Sequence, residues 1–471
     1  MQAFARVQTT GTSRREFIAR CAACAACAAC PGVARSQTAD SSKPKIRLVF
    51  THITPEKPTW PYQGYDYEDR KKELAARLRE GCPGVEFTLP ATVQNRQQAV
   101  KLLEGDAEVD GYLIYMIGLW SGGGALAIAE AGKPTLFVDD LYGGSGEFLM
   151  AYSAARRKGL KVAPVSSSRF SDVTDAVKAF EATHRLRHAV ILDVLDGEPG
   201  GTAEAIKDVF GCEVRKITSA ELLAAYKKAD RPEAHQAAGG WMKAAKKIVE
   251  PTRDEIGRSG MMYVAMQDLM KQYKSDALTI DCLSLFYGGK LPSYPCLGLM
   301  QLNNDGQVGA CEADLDSAIS MLAISYLTGR PGFISDPVID TSKNQIIYAH
   351  CVSPTKVYGP KGISVPYHIR SHSEDRKGAA VRALLPVNEL TTTLKFSPTR
   401  KEMVFHQARA VANIDDDKAC RTKLAAEVRD VDKILGEWDR WGWHRVTFYG
   451  DLKRPAYNLA AMLGIKVIEE G

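Results

Sequence analysis

The sequence lacks both a strong excess of charge and, beyond its N-terminal segment, a long hydrophobic run. After residue 40, no apolar stretch approaches the roughly 18 to 20 residues that a membrane-spanning helix needs. The formal net charge is +5 at pH 7, and no basic stripe is present. Nucleic-acid binding depends on concentrated positive charge. We therefore expect a soluble mature chain with no transmembrane segment and no nucleic-acid partner.

Signatures of nucleotide-binding sites and of common hydrolases are also missing. Gly-rich turns occur at 121–124 and 142–146, but neither matches G-x-G-x-x-G or the P-loop. No G-x-S-x-G elbow and no H-E-x-x-H pair is present. The backbone amides of the turn that begins at Ser121 could contact an anion or a sugar oxygen. A tight turn between a strand and a helix is the favoured interpretation of that segment.

Cysteine usage does not indicate a disulfide framework. Eleven cysteines are present, and four of them lie in an Ala-rich segment at positions 21, 24, 27 and 30. That segment imitates an iron–sulfur run, but its last spacing is one residue short and no second cluster segment accompanies it. The remaining cysteines are odd in number, and several lie inside apolar runs. We therefore expect buried free thiols in the folded part.

The N-terminus contains an export pattern. Ser-Arg-Arg-Glu-Phe-Ile at 13–18 fits the twin-arginine motif, and the Ala/Cys-rich stretch and a polar linker follow it. We predict that residues 1–42 form a twin-arginine signal and linker, which makes the twin-arginine translocation machinery a partner. The expected location is periplasmic or secreted. The alternative is a chance arginine pair in a tail.

Short apolar runs alternate with amphipathic helices from Lys45 onward. Residues 46–51 and 111–117 are predicted strands, and residues 67–80 are a predicted helix. Such repeated β–α units are typical of an α/β protein with parallel, doubly wound sheets. A second set of strands and helices begins near residue 162.

The pattern changes beyond about residue 331, where strand-like runs follow one another without long helices. We predict a mostly antiparallel C-terminal part with a helix near 421–439 and a last β–α–β unit. The expected domains are an N-terminal α/β lobe at 43–163, a second α/β lobe at 164–330 and a β-rich C-terminal domain at 331–471.

Hard metal ligands recur in the last third of the chain. Glu312 lies in Gly-Ala-Cys-Glu-Ala-Asp, Asp336 in Phe-Ile-Ser-Asp-Pro, His350 in Tyr-Ala-His-Cys and His444 in Trp-Gly-Trp-His-Arg. Two carboxylates with one or two imidazoles suit a divalent cation such as Mn²⁺ and leave coordination positions for substrate oxygens. Each candidate ends a strand-like run, where α/β enzymes place their chemistry.

Three of these residues also have an ordinary structural interpretation. Glu312 could stabilise the start of the helix that follows it, and Asp336 could initiate a turn before proline. His350 could be a core histidine. Cys311 and Cys351, next to two of the candidates, are predicted to be packing residues because Mn²⁺ prefers oxygen and imidazole to thiolate.

Several of these segments resemble the core of the L-fucose/L-arabinose isomerase superfamily. The resemblance rests on the stretch from Tyr294 to Asp314, on Ser-Asp-Pro at 335–337, on Ala-His-Cys at 349–351, and on His444 with the following Phe-Tyr-Gly-Asp. It covers most of the mature chain and is clearest from 276 to 471. It implies two Rossmann-like lobes and a β-rich C-terminal domain, with a metal site at their junction.

The resemblance also implies residue roles. Members of the superfamily bind Mn²⁺ and interconvert aldoses and ketoses through an enediolate. Glu312 and Asp336 match the two carboxylates, which act as ligands and as the acid–base pair. His444 matches the C-terminal ligand histidine, and His350 matches a further ligand histidine of the arabinose branch. Because relatives form trimers or hexamers, we expect a homo-oligomer.

Two further residues are weaker candidates for substrate contact. His372 lies in a polar loop where relatives carry a similar histidine, and could contact sugar hydroxyls. Lys290 could also line the cleft. A surface position is the plain alternative for both, and Ser121 completes the set of expected substrate contacts.

The sequence therefore predicts a metal-dependent aldose–ketose isomerase acting on a sugar, with Mn²⁺ or another divalent cation as cofactor. Two alternatives remain open. One is an epimerase or lyase that acts on a sugar derivative through a similar enediolate. The other is an exported carbohydrate-binding protein, because two Rossmann-like lobes are also the architecture of periplasmic sugar receptors.

Overall fold

The computed structural model describes residues 42–471, which belong to one compact unit. The predicted export signal lies outside the described residues, apart from residue 42. The chain first builds a six-stranded parallel sheet, ordered β2-β1-β4-β5-β6 with β3 beside β1. Its elements are β1 (Lys45–Thr51), α1 (Tyr67–Gly81), β2 (Glu86–Phe87), β3 (Ala91–Val93), α2 (Arg96–Glu104), β4 (Gly111–Met116), α3 (Gly124–Ala129), β5 (Thr135–Asp139), α4 (Ser145–Arg157) and β6 (Val162–Ser166).

A second parallel sheet follows, with the strand order β11-β10-β7-β8. The elements of this region are α5 (Phe170–Arg187), β7 (Val190–Val194), α6 (Gly201–Phe210), β8 (Glu213–Ile217), α7 (Ser219–Lys228), α8 (Arg231–Ala244), β9 (Lys247–Ile248), α9 (Arg253–Tyr273), β10 (Ala277–Ile280), α10 (Cys282–Tyr287), α11 (Cys296–Asn304), β11 (Val308–Cys311) and α12 (Leu315–Thr328).

The C-terminal part is mainly antiparallel, as predicted. Its elements are β12 (Phe333–Asp340), β13 (Gln345–His350), β14 (Tyr367–Arg370), β15 (Ala380–Ala383), β16 (Leu390–Ser397), β17 (Glu402–Asn413), β18 (Thr422–Glu427), α13 (Val431–Glu437), β19 (Arg445–Tyr449), α14 (Lys453–Leu463) and β20 (Lys466–Glu469), with 3₁₀ turns at Thr341–Lys343 and Trp438–Trp441.

Six strands of this part close into a barrel. The strand order is β16-β19-β12-β13-β18-β17, and β16 also pairs with β17, which completes the ring. β20 adds to β17 in parallel, while β15, β14 and β9 form a separate small sheet. Two parallel-sheet lobes and a β-rich C-terminal region thus confirm the coarse fold expected from the sequence.

The hydrophobic pattern explains why the parallel strands form. β4 and β10 are buried along their whole length, which is typical of parallel strands covered by helices on both faces. Helices begin where the sequence offers caps: Thr218 and Thr252 each form a capping box with the glutamate three residues on.

α12 packs between the second parallel sheet and the barrel. It contacts β10 and β11 on one side and β16 and β19 on the other. Ten of its fourteen residues are buried and none is exposed, as expected for a helix enclosed between two layers. Its N-terminus therefore lies where the sheet and the barrel meet.

The prediction of a helix near 421–439 is wrong for the first half of that segment. Residues Thr422–Glu427 form β18, which pairs with both β13 and β17, and only Val431–Glu437 is helical. A Thr-Lys-Leu-Ala-Ala-Glu segment suits a helix by local propensity. Pairing on both sides within the barrel outweighs that preference.

None of the helices within residues 42–471 is long and apolar enough to span a membrane. The seven cysteines in that range are free thiols, and six of them are buried, which confirms the expectation for the folded part.

A fully buried charged network ties the C-terminus to the barrel. Glu470 accepts from the Arg445 guanidinium at 3.1 Å and from His406 Nδ1 at 2.8 Å. All three side chains are inaccessible to solvent. Arg445 also donates to the carbonyl oxygen of Trp438 at 2.9 Å and of Gly442 at 3.1 Å. The network thereby fixes the segment that leads into β19.

We expect Glu470→Gln to destabilise the protein by about 3 to 5 kcal/mol, because it leaves the buried Arg445 charge without its counter-ion. Urea denaturation would measure the loss. Glu469→Gln is the matched control: that neighbour pairs with Lys453 at the surface, so its change should stay below about 1 kcal/mol. Equal effects of the two substitutions would contradict this account.

Candidate metal centre

The four predicted ligands meet where the barrel contacts the second parallel sheet. His444 Nε2 lies 3.2 Å from Asp336 Oδ1 and 3.4 Å from Glu312 Oε2. His350 Nε2 lies 3.6 Å from Glu312 Oε1, and the two imidazole rings are 5.4 Å apart between centroids. Residues far apart in the sequence therefore form one cluster of two carboxylates and two imidazoles.

Glu312 reaches this cluster through an unusual backbone turn. It follows β11 directly, and it and Ala313 both adopt left-handed conformations, with φ of 62° and 51°. Two successive non-glycine residues in this region are strained, and such strain persists only when surrounding contacts hold it. The Ala313 N–H donates to the Ile280 carbonyl at 3.0 Å, which anchors the turn on β10.

Strand pairing places the other three residues. Asp336 pairs with Ala349 across β12 and β13, so His350 is the next residue along the neighbouring strand. Ser335 pairs with Arg445 across β12 and β19, so His444 lies just before the start of that strand. Asp336 was expected at the end of a strand but lies inside β12.

His444 is surrounded by negative charge. Burial disfavours a charged ring, but the hydrogen bond with Asp314 and the adjacent carboxylates of Asp336 and Glu312 raise the pKa of His444 well above its usual value. Burial likewise opposes ionisation of Asp336, yet the contact with His444 and the charge of His350 lower the pKa of Asp336 to about 2. The cluster therefore contains the ionised carboxylates of Glu312 and Asp336 beside the positively charged ring of His444.

Asp314 fixes the orientation of His444. It caps α12 by accepting from Ser317 N–H at 2.9 Å, and its Oδ2 accepts from His444 Nδ1 at 2.9 Å. Lys395 Nζ donates to the same Oδ2 at 2.8 Å. A carboxylate can only accept, so His444 carries a proton on Nδ1 and directs Nε2 at Glu312 and Asp336. Carboxylate–histidine pairs of this kind orient metal ligands.

Two side chains support Asp336. The indole Nε1 of Trp443 donates to Asp336 Oδ1 at 2.6 Å, although 66% of the Trp443 surface is exposed. The thiol of Cys420 lies 3.5 Å from Asp336 Oδ2. Trp443 therefore presents an open aromatic face beside the carboxylate, where a sugar ring could pack.

The residues present fit a hard divalent cation. The ligand atoms of Asp336, His350 and His444 all lie within 4.8 Å of one another, as do those of Cys311, Glu312 and His350. Nε2 of both buried histidines has no hydrogen-bond partner. Oxygen and imidazole ligands of this kind suit Mn²⁺ or Mg²⁺, with positions left for substrate.

Of the three residues expected to contact substrate, only His372 lies near this cluster. His372 is buried, stacks on Tyr294 with ring centroids 4.3 Å apart, and lies close enough to Cys351 to affect its ionisation. The proximity of Cys420, His372 and His350 lowers the pKa of the Cys351 thiol, although burial acts in the opposite direction. His372 is thus a neighbour of the site and not a surface residue.

Lys290 and Ser121 have other partners. Lys290 Nζ donates to Asp196 at 2.6 Å. The buried Ser121 donates its backbone N–H to Glu147 at 2.8 Å, and its hydroxyl contacts the same carboxylate. Within residues 42–471, neither forms a hydrogen bond or ion pair with the four clustered residues.

The sequence reasoning missed Asp314, Lys395 and Trp443. Asp314 had a detectable signal, because an Asp three residues before a Ser at the start of an apolar run predicts a helix cap. Trp443 precedes a predicted ligand and could have been noted. Lys395 gave no signal, since it lies in an ordinary strand pattern.

Several known isomerases are similar to this chain in sequence. No family model matches the chain. A sulfoquinovose isomerase of Clostridium sp. (strain MSTE9) is 26% identical over 317 residues, which cover 62% of this chain and 66% of the relative. The sulfoquinovose isomerase of Alkalicoccus urumqiensis is 29% identical over 155 residues, covering 31% and 33%. That of Priestia aryabhattai is 25% identical over 183 residues, covering 38% and 40%.

The chain is homologous to sulfoquinovose isomerases. These relatives belong to the fucose/arabinose isomerase-like sugar isomerase superfamily, so the resemblance inferred from the sequence is confirmed. The chain spans just under two thirds of the Clostridium relative and a third to two fifths of the other two.

We expect Asp314→Asn to lower the pKa of His444, because it removes the carboxylate that accepts from Nδ1. In the metal-free protein, a raised folded-state pKa gives stability that is present below about pH 6.5 and is lost as the pH rises through the folded-state pKa. Asp314→Asn should reduce that pH dependence, since Asp336 and Glu312 remain. NMR titration of the imidazole and unfolding at several pH values would measure both effects.

Ser317→Ala is the control for this experiment, because it removes a hydroxyl that donates to Asp314 and leaves the carboxylate in place. The pKa of His444 should remain raised in that variant. An unchanged pKa in Asp314→Asn would contradict the assigned role.

Proposed function

We propose that this protein is a metal-dependent sugar isomerase that interconverts an aldose and a ketose. The observation that carries the proposal is the meeting of Glu312, Asp336 and His444 at one buried position. Homology to sulfoquinovose isomerases supports the same reaction class. The proposed fold is that of the fucose isomerase-like enzymes, with the site at the junction of the second lobe and the barrel.

Glu312, Asp336 and His444 would hold a divalent cation, with Mn²⁺ as the proposed ion, and His350 is the fourth candidate ligand. A cation bound there supplies Lewis-acid stabilisation of negative charge on the substrate oxygens. The ligand set favours Mn²⁺ over a thiophilic ion because it is built from carboxylates and imidazole.

The two carboxylates carry out the proton transfer. One carboxylate accepts the proton from C2 of the aldose, and the C–H electron pair forms the C1–C2 double bond of the enediolate. A carboxylic acid of the pair then returns a proton to C1, and the hydroxyl proton on O2 moves to O1, which completes the ketose. Asp336 has a pKa of about 2 and is ionised at neutral pH, so it can act as the accepting base. Asp314 and Lys395 hold His444 in place during this exchange.

Trp443 would contact the substrate. Its exposed indole lies beside Asp336 and is held there by its own hydrogen bond. A sugar ring packed on this face would bring its carbon chain next to the carboxylates. His372 remains a proposed contact for sugar hydroxyls, and the relatives make sulfoquinovose the first sugar to test.

We also propose export by the twin-arginine machinery, which rests on the motif at 13–18. This would place the enzyme in the periplasm or outside the cell. A homo-oligomer is proposed on the resemblance to the superfamily.

We expect the purified protein to bind about one Mn²⁺ per chain and to isomerise an aldose, and Glu312→Gln and Asp336→Asn each to reduce turnover at least about 10³-fold. Asp336→Asn should also weaken Mn²⁺ binding because it removes a ligand charge. Asp340→Asn is the matched control: it lies on the same strand at the end remote from the cluster, and should leave activity unchanged.

Metal content by elemental analysis and turnover with sulfoquinovose and a panel of aldoses would test the proposal. Full activity in Glu312→Gln, with the fold intact, would show that the carboxylates are not the acid–base pair. Sugar affinity without metal or turnover would instead favour a carbohydrate-binding protein. Release of a changed epimer or of an unsaturated product would favour the epimerase or lyase alternative.

A further inference from the structure

Two buried thiols are in contact at the carboxyl edge of the second parallel sheet. The Sγ atoms of Cys282 and Cys311 lie 3.3 Å apart. Cys311 is the last residue of β11, and Cys282 is the first residue of α10, two positions after β10 ends. Each residue is only 2% exposed. The two sulfurs therefore come from neighbouring strand ends and contact each other in the interior.

The strands that carry this pair are close enough for a disulfide. β10 and β11 are parallel neighbours, and Ile280 is opposite Cys311 in the register. Adjacent strands lie about 4.8 Å apart, and the Cα atoms of bonded cysteines are usually about 4.4 to 6.8 Å apart. A disulfide has an S–S distance of about 2.05 Å, so the sulfurs have to approach by roughly 1.3 Å. Small changes in the two side-chain torsions can supply a movement of this size.

The pair lies beside the turn that carries Glu312. Glu312 follows Cys311 in the chain, and Glu312 and Ala313 both have left-handed backbone conformations. The Ala313 N–H donates to the Ile280 carbonyl at 3.0 Å, so the turn is attached to the end of β10. Cys282 continues from that same end. A covalent bond between Cys282 and Cys311 would therefore join the two segments whose hydrogen bonds hold the turn.

We propose that Cys282 and Cys311 form a disulfide when the protein meets a disulfide oxidant, and that this bond clamps the turn that carries Glu312. The structure shows the reduced state, in which both sulfurs are free thiols. The inference goes beyond the isomerase function and does not depend on it, because it concerns the covalent state of the strand ends. An oxidising compartment, such as the proposed periplasmic location, supplies oxidants of this class.

The reaction is a thiol–disulfide exchange. One cysteine, as the thiolate, attacks a sulfur of the oxidant's S–S bond, which breaks and releases one thiol. The second cysteine then displaces the oxidant sulfur from this mixed disulfide and releases a second thiol. The two protein thiols lose two electrons and two protons, and the oxidant gains both. One S–S bond therefore forms in the protein as one S–S bond of the oxidant is consumed.

Contact in the folded state favours the closed bond. Because the fold holds the two sulfurs together, the second step is intramolecular and competes well with attack by free thiols. Burial then shields the bond from reductants. Burial also slows the first step, since the oxidant reaches either sulfur only when the structure opens locally. We therefore expect oxidation to be slow and its product to resist mild reduction.

Peptide mapping of the wild-type protein tests the bond directly. The purified protein is incubated with oxidised glutathione until its free-thiol content is constant, denatured with an alkylating agent and digested with trypsin without reductant. Trypsin places Cys282 in peptide 275–290 and Cys311 in peptide 291–330. We expect these two peptides to be linked, with fragment ions that join Cys282 to Cys311. Dithiothreitol should separate them.

Cys296 provides the matched control, because this buried thiol lies in the same peptide as Cys311. Cys296→Ala should still form the link, whereas Cys282→Ala and Cys311→Ala should not. The mapping of the wild type does not depend on how these variants fold. Recovery of Cys282 and Cys311 as free thiols, or as adducts with glutathione alone, overturns the inference. A bond from either residue to another cysteine, such as Cys351, also overturns it.

Hydrogen exchange measures the effect on the turn. The Ala313 amide exchanges when its hydrogen bond to the Ile280 carbonyl opens. We expect the amides of residues 311–314 to exchange at least about tenfold more slowly in the oxidised protein than in the reduced protein, and those of α1 to exchange at the same rate in both. Equal rates at the turn would overturn the clamp. Because neither readout uses metal or substrate, an inactive protein would reject the proposed isomerase function and leave this inference separately tested.

Discussion

The candidate site depends on the electrostatic balance around His444. Three carboxylates, from Glu312, Asp314 and Asp336, converge on this one buried imidazole. Carboxylates that lie this close repel one another in a low-dielectric interior unless a cation lies between them. In the metal-free protein the protonated ring of His444 supplies part of that charge, and Lys395 supplies more. A divalent cation could take over the same role, which is why the arrangement suits a metal centre.

The site exists only where two different layers of the protein meet. Glu312 ends a strand of the second parallel sheet, while Asp336, His350 and His444 come from the barrel. α12 lies between these layers, and its cap residue Asp314 contacts the barrel through His444 and Lys395. One aspartate therefore both starts a helix and orients a candidate ligand. Displacing α12 would move the Asp314 carboxylate away from His444.

The structure also distinguishes side chains that look equivalent in the sequence. His350 and His444 each end or precede an apolar strand, and both match ligand positions in the superfamily. Their hydrogen-bond partners differ, because one ring accepts from a backbone N–H and the other donates to a carboxylate. Both rings direct Nε2 at the cluster, so what distinguishes them is the group that holds Nδ1 of each ring.

The sequence by itself determined the α/β lobes, the change to a β-rich C-terminal part, and the identity of the four clustered residues. Hydrophobic periodicity and helix caps are local signals, so they predict strands and helices well. The resemblance to the isomerase superfamily identified the four residues, although their spacing alone gave no reason to expect them to lie close together. Only the tertiary structure closed the barrel, turned Thr422–Glu427 into a strand, and paired Lys290 and Ser121 with other carboxylates. These outcomes depend on strand pairing and on contacts between distant segments, whose energies are not encoded in any short stretch of sequence.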